Sequence, residues 1–460
     1  MSMDATMNPA KPHRRLRLIF GSLLACAALL TLGVGLLLIF GREPPSIKGD
    51  LVGAGVQVPS PARSLVPTIN FSEAQPWPDG KQPIAPEGFD VTAYASGLDH
   101  PRWLYVLPNG DVLVAEASTV PRRDRSIAQA VQVWLQRNAG SIKDSANRIT
   151  LLRDSRKAGT AEQRFVFASN LNQPFGMLLL GHNFYVANTD SVWRFPYRDG
   201  DTHLEGPGEK ILDLPAGGYN NHWTRNLIAD RAGTKLYVTV GSGSNVGENG
   251  IDNEFHRANI LEFNADGSGL RVFASGLRNP NGLAFAPGTD TLWTVVNERD
   301  MLGNDLVPDY LTSVKDGGFY GWPYSYWGKN IDERAKPQRP DLVATAIVPD
   351  YALGAHVAAL GLTFSTGDTF PDHFRGGAFI GEHGSWNRRP FAGYKVVYVP
   401  FRNGQPDGKP EDFVTGFMPA DQQGVAFGRP VGLAFDSTGA LLIADDVGNT
   451  VWRVTAAWRP

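Results

Sequence analysis

A single cysteine, Cys26, occurs in 460 residues, so no disulfide can form within the chain and cysteine pairing gives no clue to the redox compartment. Charge of one sign is equally scarce. The 43 Lys and Arg against 46 Asp and Glu leave a formal net charge of −3, which provides no basic field for nucleic acid. Helical periodicity is nearly missing: only SIAQAVQVWLQRNAG (126–140) reads as an amphipathic helix. A parallel α/β sheet would need a helix after almost every strand, and those helices are not there. The one helix is either a surface insertion or a contact with a nearby membrane.

Turn-forming residues and short apolar runs are what the chain has in quantity, with 51 Gly, 33 Pro and 42% hydrophobic residues. This combination favours an all-β protein. Residues 281–298, NGLAFAPGTDTLWTVVNE, nearly repeat in 431–446, VGLAFDSTGALLIADD. The same degenerate phrase of strand, turn, strand and polar residue recurs at 100–116, 173–188, 222–243 and 359–385, which makes six copies. Most copies are followed by a further strand, as in NRITLLRD, SVWRFPY and NTVWRVT. Sheets with two apolar faces cannot stand alone, and packing six of them around an axis gives a six-bladed β-propeller spanning 86–460.

The N-terminus differs. Basic residues within 1–17 precede an unbroken apolar run from Leu18 to Phe40, about the length of a transmembrane helix. Positive charge before the span predicts a cytoplasmic N-terminus, hence a single-pass inner-membrane anchor with the propeller in the periplasm. A cleaved signal peptide and a lipoprotein cut at LLAC (23–26) are the rival readings. The proline-rich stretch 41–85 reads as a tether.

In a propeller the loops entering the inner strands meet at one mouth. That phase holds Arg102, Gln173, His222 with Arg225, Arg278 with Asn279, His356, and Arg429. Arginines, imidazoles and amides converging there suit an anionic planar ligand beside a proton transfer. His222 is the candidate general base and Arg278 the candidate electrophilic partner. NERDMLGNDLVPD (297–309) gathers Glu298, Asp300, Asp305 and Asp309, a loop that either binds calcium or is simply solvated. Trp223, Trp322 and Trp386 either stack on sugar rings or seal contacts between blades.

GLRNPNGLAF followed by the acidic loop and GGFYGWPYSYWG (317–328), with HWTRNLIADRAGTKLYVTVGS upstream, resembles the glucose/sorbosone dehydrogenase family of quinoproteins, most closely its membrane-associated sorbosone dehydrogenase-like branch. The resemblance implies pyrroloquinoline quinone (PQQ) with Ca2+, and oxidation of an aldose or sugar-derived aldehyde such as sorbosone. It also implies an electron acceptor, which a respiratory chain could provide. By position it assigns catalysis to His222 and Arg278, and cofactor contacts to Asn279, His356 and Arg429. Gln173 falls on the substrate side, and Arg299 and Asp300 fall where backbone carbonyls meet calcium. The family's cofactor-binding lysine is replaced by Arg388, with His383 as a second choice, and a second arginine position is Phe427. Arg299-Asp300 stands where soluble relatives have Gly-Pro. Two other functions use the same fold: a metal-dependent propeller hydrolase or lactonase, and a non-catalytic carbohydrate- or protein-binding module.

Overall fold

The computed structural model describes residues 28–29, 31–33, 51–61, 68–120 and 127–457. Its architecture is the expected six-bladed propeller. The innermost strands are Pro101–Val106, Met177–Leu180, Leu227–Ala229, Asn279–Phe285, Ala359–Phe364 and Pro430–Phe435, for blades 1 to 6 in that order. Each pairs antiparallel with the next strand of its own phrase, so the repeated sequence is the inner hairpin of a blade.

Close approach between neighbouring inner strands explains the glycine in the phrase. A Cβ on Gly282 would lie 2.7 Å from the backbone N of Leu362, one on Gly361 2.1 Å from the Val431 carbonyl, and one on Gly432 2.7 Å from the Arg102 carbonyl. Gly176 likewise faces the backbone of Arg225 and Leu227, and its N–H donates to the Arg225 carbonyl at 2.9 Å. Only glycine lets the strands approach this closely. Blades 1 and 3 carry Trp103 and Asn226 at this phase; Trp103 packs on Phe175, and Asn226 donates to the Asn281 carbonyl.

Six apolar clusters fill the six gaps between blades. One joins Trp103, Phe167, Phe175 and Phe184 of blades 1 and 2, and another joins Phe370, Phe379, Phe413 and Leu433 of blades 5 and 6. The other four occupy the remaining gaps. Each fully buried aromatic side chain contributes about 1.5–3 kcal/mol, and no blade gains this energy without its neighbour.

The ring closes through a strand outside the repeat. Phe89–Ser96 pairs along the outer edge of blade 6 with Thr450–Ala456, so the last blade is built from both ends of the domain. The predicted helix is present as Ile127–Asn138, inserted between the second and third strands of blade 1.

Of the two expectations about the N-terminal part, the anchor falls outside what the structure describes and the tether needs revision. The apolar run 18–40 lies almost entirely outside the described residues, and among those residues no helix is long and apolar enough to cross a membrane. The tether, where described, is a strap bound to the propeller. Val52–Gly53 extends the sheet of blade 4 by pairing with Tyr351–Ala355, Glu73–Ala74 pairs with Val425–Ala426, and Ile84 bridges to Thr415. Trp77 donates to Asp445 at 2.9 Å and packs edge-on against Trp452 and Phe417. Exposed sheet edges satisfy the backbone of a segment that has no periodicity of its own.

Candidate active site

Inner strands begin, and their hairpin partners end, at the same mouth of the channel. This brings His222, Arg278, Asn279, Asp300 and His356 together from blades 3, 4 and 5. Gly241 forms the floor: a Cβ there would lie 2.4 Å from His222 Cβ and 2.5 Å from Asn279 Oδ1. The missing side chain is what allows imidazole and carboxamide to sit side by side.

His222 is half-buried, and its Nδ1 lies 2.8 Å from the Ser242 carbonyl and 3.0 Å from Ser242 Oγ. The Ser242 hydroxyl spends its proton on the Ser244 carbonyl, at 2.6 Å. Both atoms facing Nδ1 are therefore acceptors, which places the ring proton on Nδ1 and leaves the Nε2 lone pair free. Burial, and then the Arg278 guanidinium, push the His222 pKa down to about 3.

Arg278 is buried and saturated. It donates to the Glu298 carbonyl at 2.5 Å, to Asn245 Oδ1 at 3.0 Å and to Asp300 Oδ2 at 2.6 Å. Burial alone would raise the Asp300 pKa, but Arg278, His356 and His222 together hold it below the usual carboxylate value. Asn387 donates to the other Asp300 oxygen at 2.9 Å, and His356 Nδ1 stands 3.7 Å from it. His356 Nε2 meets the Gly303 carbonyl at 2.8 Å. Arg388 donates to the Asn304 carbonyl at 3.1 Å, with Asp305 at 3.8 Å.

The second half of the mouth centres on Asp446. Its Oδ2 accepts from Arg102 and lies 2.9 Å from His383 Nε2 and 3.5 Å from His100 Nε2. Burial disfavours its charge, but His383, His100 and Arg102 hold its pKa well below the usual range. Arg429 belongs here, donating to the carbonyls of His383 at 2.8 Å and Gly384 at 2.7 Å and to Ser141 at 2.9 Å. Gln173 is buried and donates its amide to the Ser118 carbonyl at 2.8 Å. Phe427 is buried against Trp77 and is no cation site.

The arginines do not form the open rim expected from phase. Arg278, Arg388 and Arg429 are each 4% exposed, and their forks are spent on carbonyls and carboxylates. They act on a ligand through charge. Trp223 and Trp322 are buried and donate to Thr119 and the Asn245 carbonyl, while Trp386 stacks on Phe71, so the three seal contacts. Sequence phase missed Asp446, Asp332 and Ser242. Asp446 had a usable signal, since three of the repeat phrases close on an acid: Glu116, Glu298 and Asp446.

The mouth offers an anionic quinone the buried charge of Arg278, Arg388 and Arg429, together with unpartnered acceptor atoms on the His222 side. The Asn279 and Asn387 side-chain oxygens are buried without a hydrogen bond, and no described group bonds His222 Nε2. Arg429 has no carboxylate partner within ion-pair distance among the described residues. The calcium positions fit poorly. The Asp300 carbonyl already accepts from Arg299 and, at 3.1 Å, from Asn245, and no group of three His, Cys, Asp or Glu that could hold a metal occurs among the described residues.

The family model described as TrAA12-like matches residues 83–310 and 338–457. The chain belongs to the TrAA12-like family. Among its relatives, an aldose sugar dehydrogenase of Escherichia coli is 29% identical over 332 residues, covering 67% of this chain and 80% of the relative. A PQQ-dependent sugar dehydrogenase of Hypocrea jecorina is 24% identical over 419 residues, covering 79% and 87%. In fold, this TrAA12-like chain superimposes on the holo PQQ domain of pyranose dehydrogenase from Coprinopsis cinerea with TM-score 0.65 and 22% identity, covering 83% of this chain and 98% of that one.

Proposed function

We propose that this chain is a PQQ-dependent dehydrogenase, an oxidoreductase acting on an aldose or sugar-derived aldehyde of the sorbosone type, with His222 as general base. The observation that carries this reading is the imidazole with its Nδ1 proton fixed on Ser242 and its Nε2 free beside the Arg278–Asp300 pair. The names of the relatives support the cofactor and the sugar. PQQ, when bound, supplies a two-electron acceptor that takes hydride from the substrate carbon. His222 Nε2 receives the proton of the C1 hydroxyl, or of the hydrate when the substrate is a free aldehyde. Asn279 and Arg278 would hold the quinone face, Arg388, Arg429 and His356 would supply cationic and imidazole surroundings, and Gln173 would lie on the substrate side.

The same reading takes residues 86–460 as the catalytic unit and 18–40 as an anchor that holds it in the periplasm, passing electrons to a membrane-bound acceptor. Protease treatment of spheroplasts tests the topology: digestion of the propeller from outside supports it, and protection contradicts it. Activity is tested by adding PQQ to the purified chain and following dye reduction with aldoses and with sorbosone. PQQ-dependent reduction is expected. Absence of PQQ binding would move the hydrolase and binding-module functions ahead.

A further inference from the structure

Loop 297–309 turns its carbonyl oxygens toward nitrogen donors. Glu298 O accepts from Arg278 at 2.5 Å, Asn304 O from Arg388 at 3.1 Å, and Asp300 O from Arg299. Backbone carbonyls gathered beside carboxylates are ligands that a hard divalent cation ordinarily takes. Here three guanidinium groups take them. Arg299 is the most enclosed at 1% exposure, and its charge is matched by Asp332, itself 3% exposed. A buried guanidinium is tolerated only when it is paired and its donors are satisfied, and both conditions hold. Asp332 is in turn fixed by the backbone N–H of Arg334 at 3.0 Å, in the segment 311–337 that lies outside the family match.

A divalent ion on the Asp300 carbonyl would stand against the Arg299 guanidinium already bonded there, and like charges at that distance repel strongly away from water.

We infer that Arg299, locked by Asp332, is a built-in cation that takes the place of a divalent metal beneath the mouth loop and positions Asp300, and through it Arg278, so that the site needs no calcium. The quinone part of this inference rests on the function proposed above; the metal part does not.

The full-length chain, dialysed against EGTA and then titrated with Ca2+, separates the two. The melting temperature is expected to stay within error of the undialysed protein, and PQQ affinity, read from the absorbance of the bound quinone, within about twofold. Stoichiometric calcium in the purified chain, whose removal lowers the melting temperature or PQQ affinity and whose return restores it, overturns the inference. The double variant Arg299→Met/Asp332→Leu removes both charges together and leaves no unpaired buried charge from the Arg299–Asp332 pair. It is expected to melt cooperatively yet bind PQQ about 10- to 100-fold more weakly, the scale seen when an orienting partner is lost. Unchanged affinity in that folded variant means that Arg299 only packs, which also overturns the positioning role. If the wild-type chain binds no PQQ under any condition, the proposed function fails, while the melting response to calcium still decides the metal question.

Discussion

The two halves of the mouth use the same residue types to opposite ends. On the Asp446 side, His100 and His383 both face one carboxylate that also holds Arg102; His100 and Asp446 are buried, and the His383 side chain is 12% exposed. On the His222 side the imidazole leans on a neutral carbonyl, keeps one nitrogen free and stays half-open to the mouth. A histidine committed to a buried carboxylate is spent on structure, whereas one whose proton is parked on a backbone carbonyl is ready to accept another. Repeat phase alone does not separate the two, because it places both kinds at the same height.

The largest expected effects bear directly on that difference. His222→Ala is expected to lower PQQ-dependent turnover by about 10²- to 10⁴-fold with little change in melting temperature, measured by dye reduction and calorimetry side by side. Asp446→Ala should do the reverse. It leaves Arg102 buried without its anion, a loss of about 3–5 kcal/mol visible in denaturant unfolding, with turnover per folded molecule changed only a few-fold. A smaller effect is expected for Gly361→Ala, whose Cβ would sit 2.1 Å from the Val431 carbonyl. Forcing blades 5 and 6 apart should cost about 1–3 kcal/mol by the same measurement.

The smallest effect is a pH dependence of stability. His100, His222 and His383 are pushed down to about 4, 3 and 3, mainly by burial, so below about pH 6.5 the unfolded chain binds more protons and these groups destabilise the fold as pH falls. Burial raises Asp445, Glu298 and Asp309 to about 6, 7 and 8, so their contribution is full at low pH and is lost as pH rises through those values. The two sets oppose each other on the acid side, and above about pH 6.5 the carboxyls act alone. The melting temperature is therefore expected to fall between pH 6.5 and 8.5. A flat or rising profile there would mean that Glu298 and Asp309 are already ionised in the fold.

Much of the fold was legible because the propeller repeats a local pattern. The inner hairpins and the helix at 127–138 follow from alternation, turns and spacing. Closure by Phe89–Ser96 was not legible, since that strand pairs with residues more than 350 positions away and carries no repeat phrase. The strap was missed for a related reason: its backbone pairs with edges that exist only after the ring has formed. At the site, phase located His222, Arg278 and Asn279 correctly beside one another. It could not show where the guanidinium forks point. That depends on which acid ends the neighbouring phrase, and so the expected open rim of arginines became two internally paired clusters.

The comparison is tested most directly by measuring PQQ-dependent dye reduction for His222→Gln and His383→Gln in parallel, each normalised to folded protein. The account predicts a fall of about 100-fold or more for His222→Gln and a change of only a few-fold for His383→Gln. Equal losses, or a larger loss at His383, would place the chemistry on the Asp446 side and contradict it.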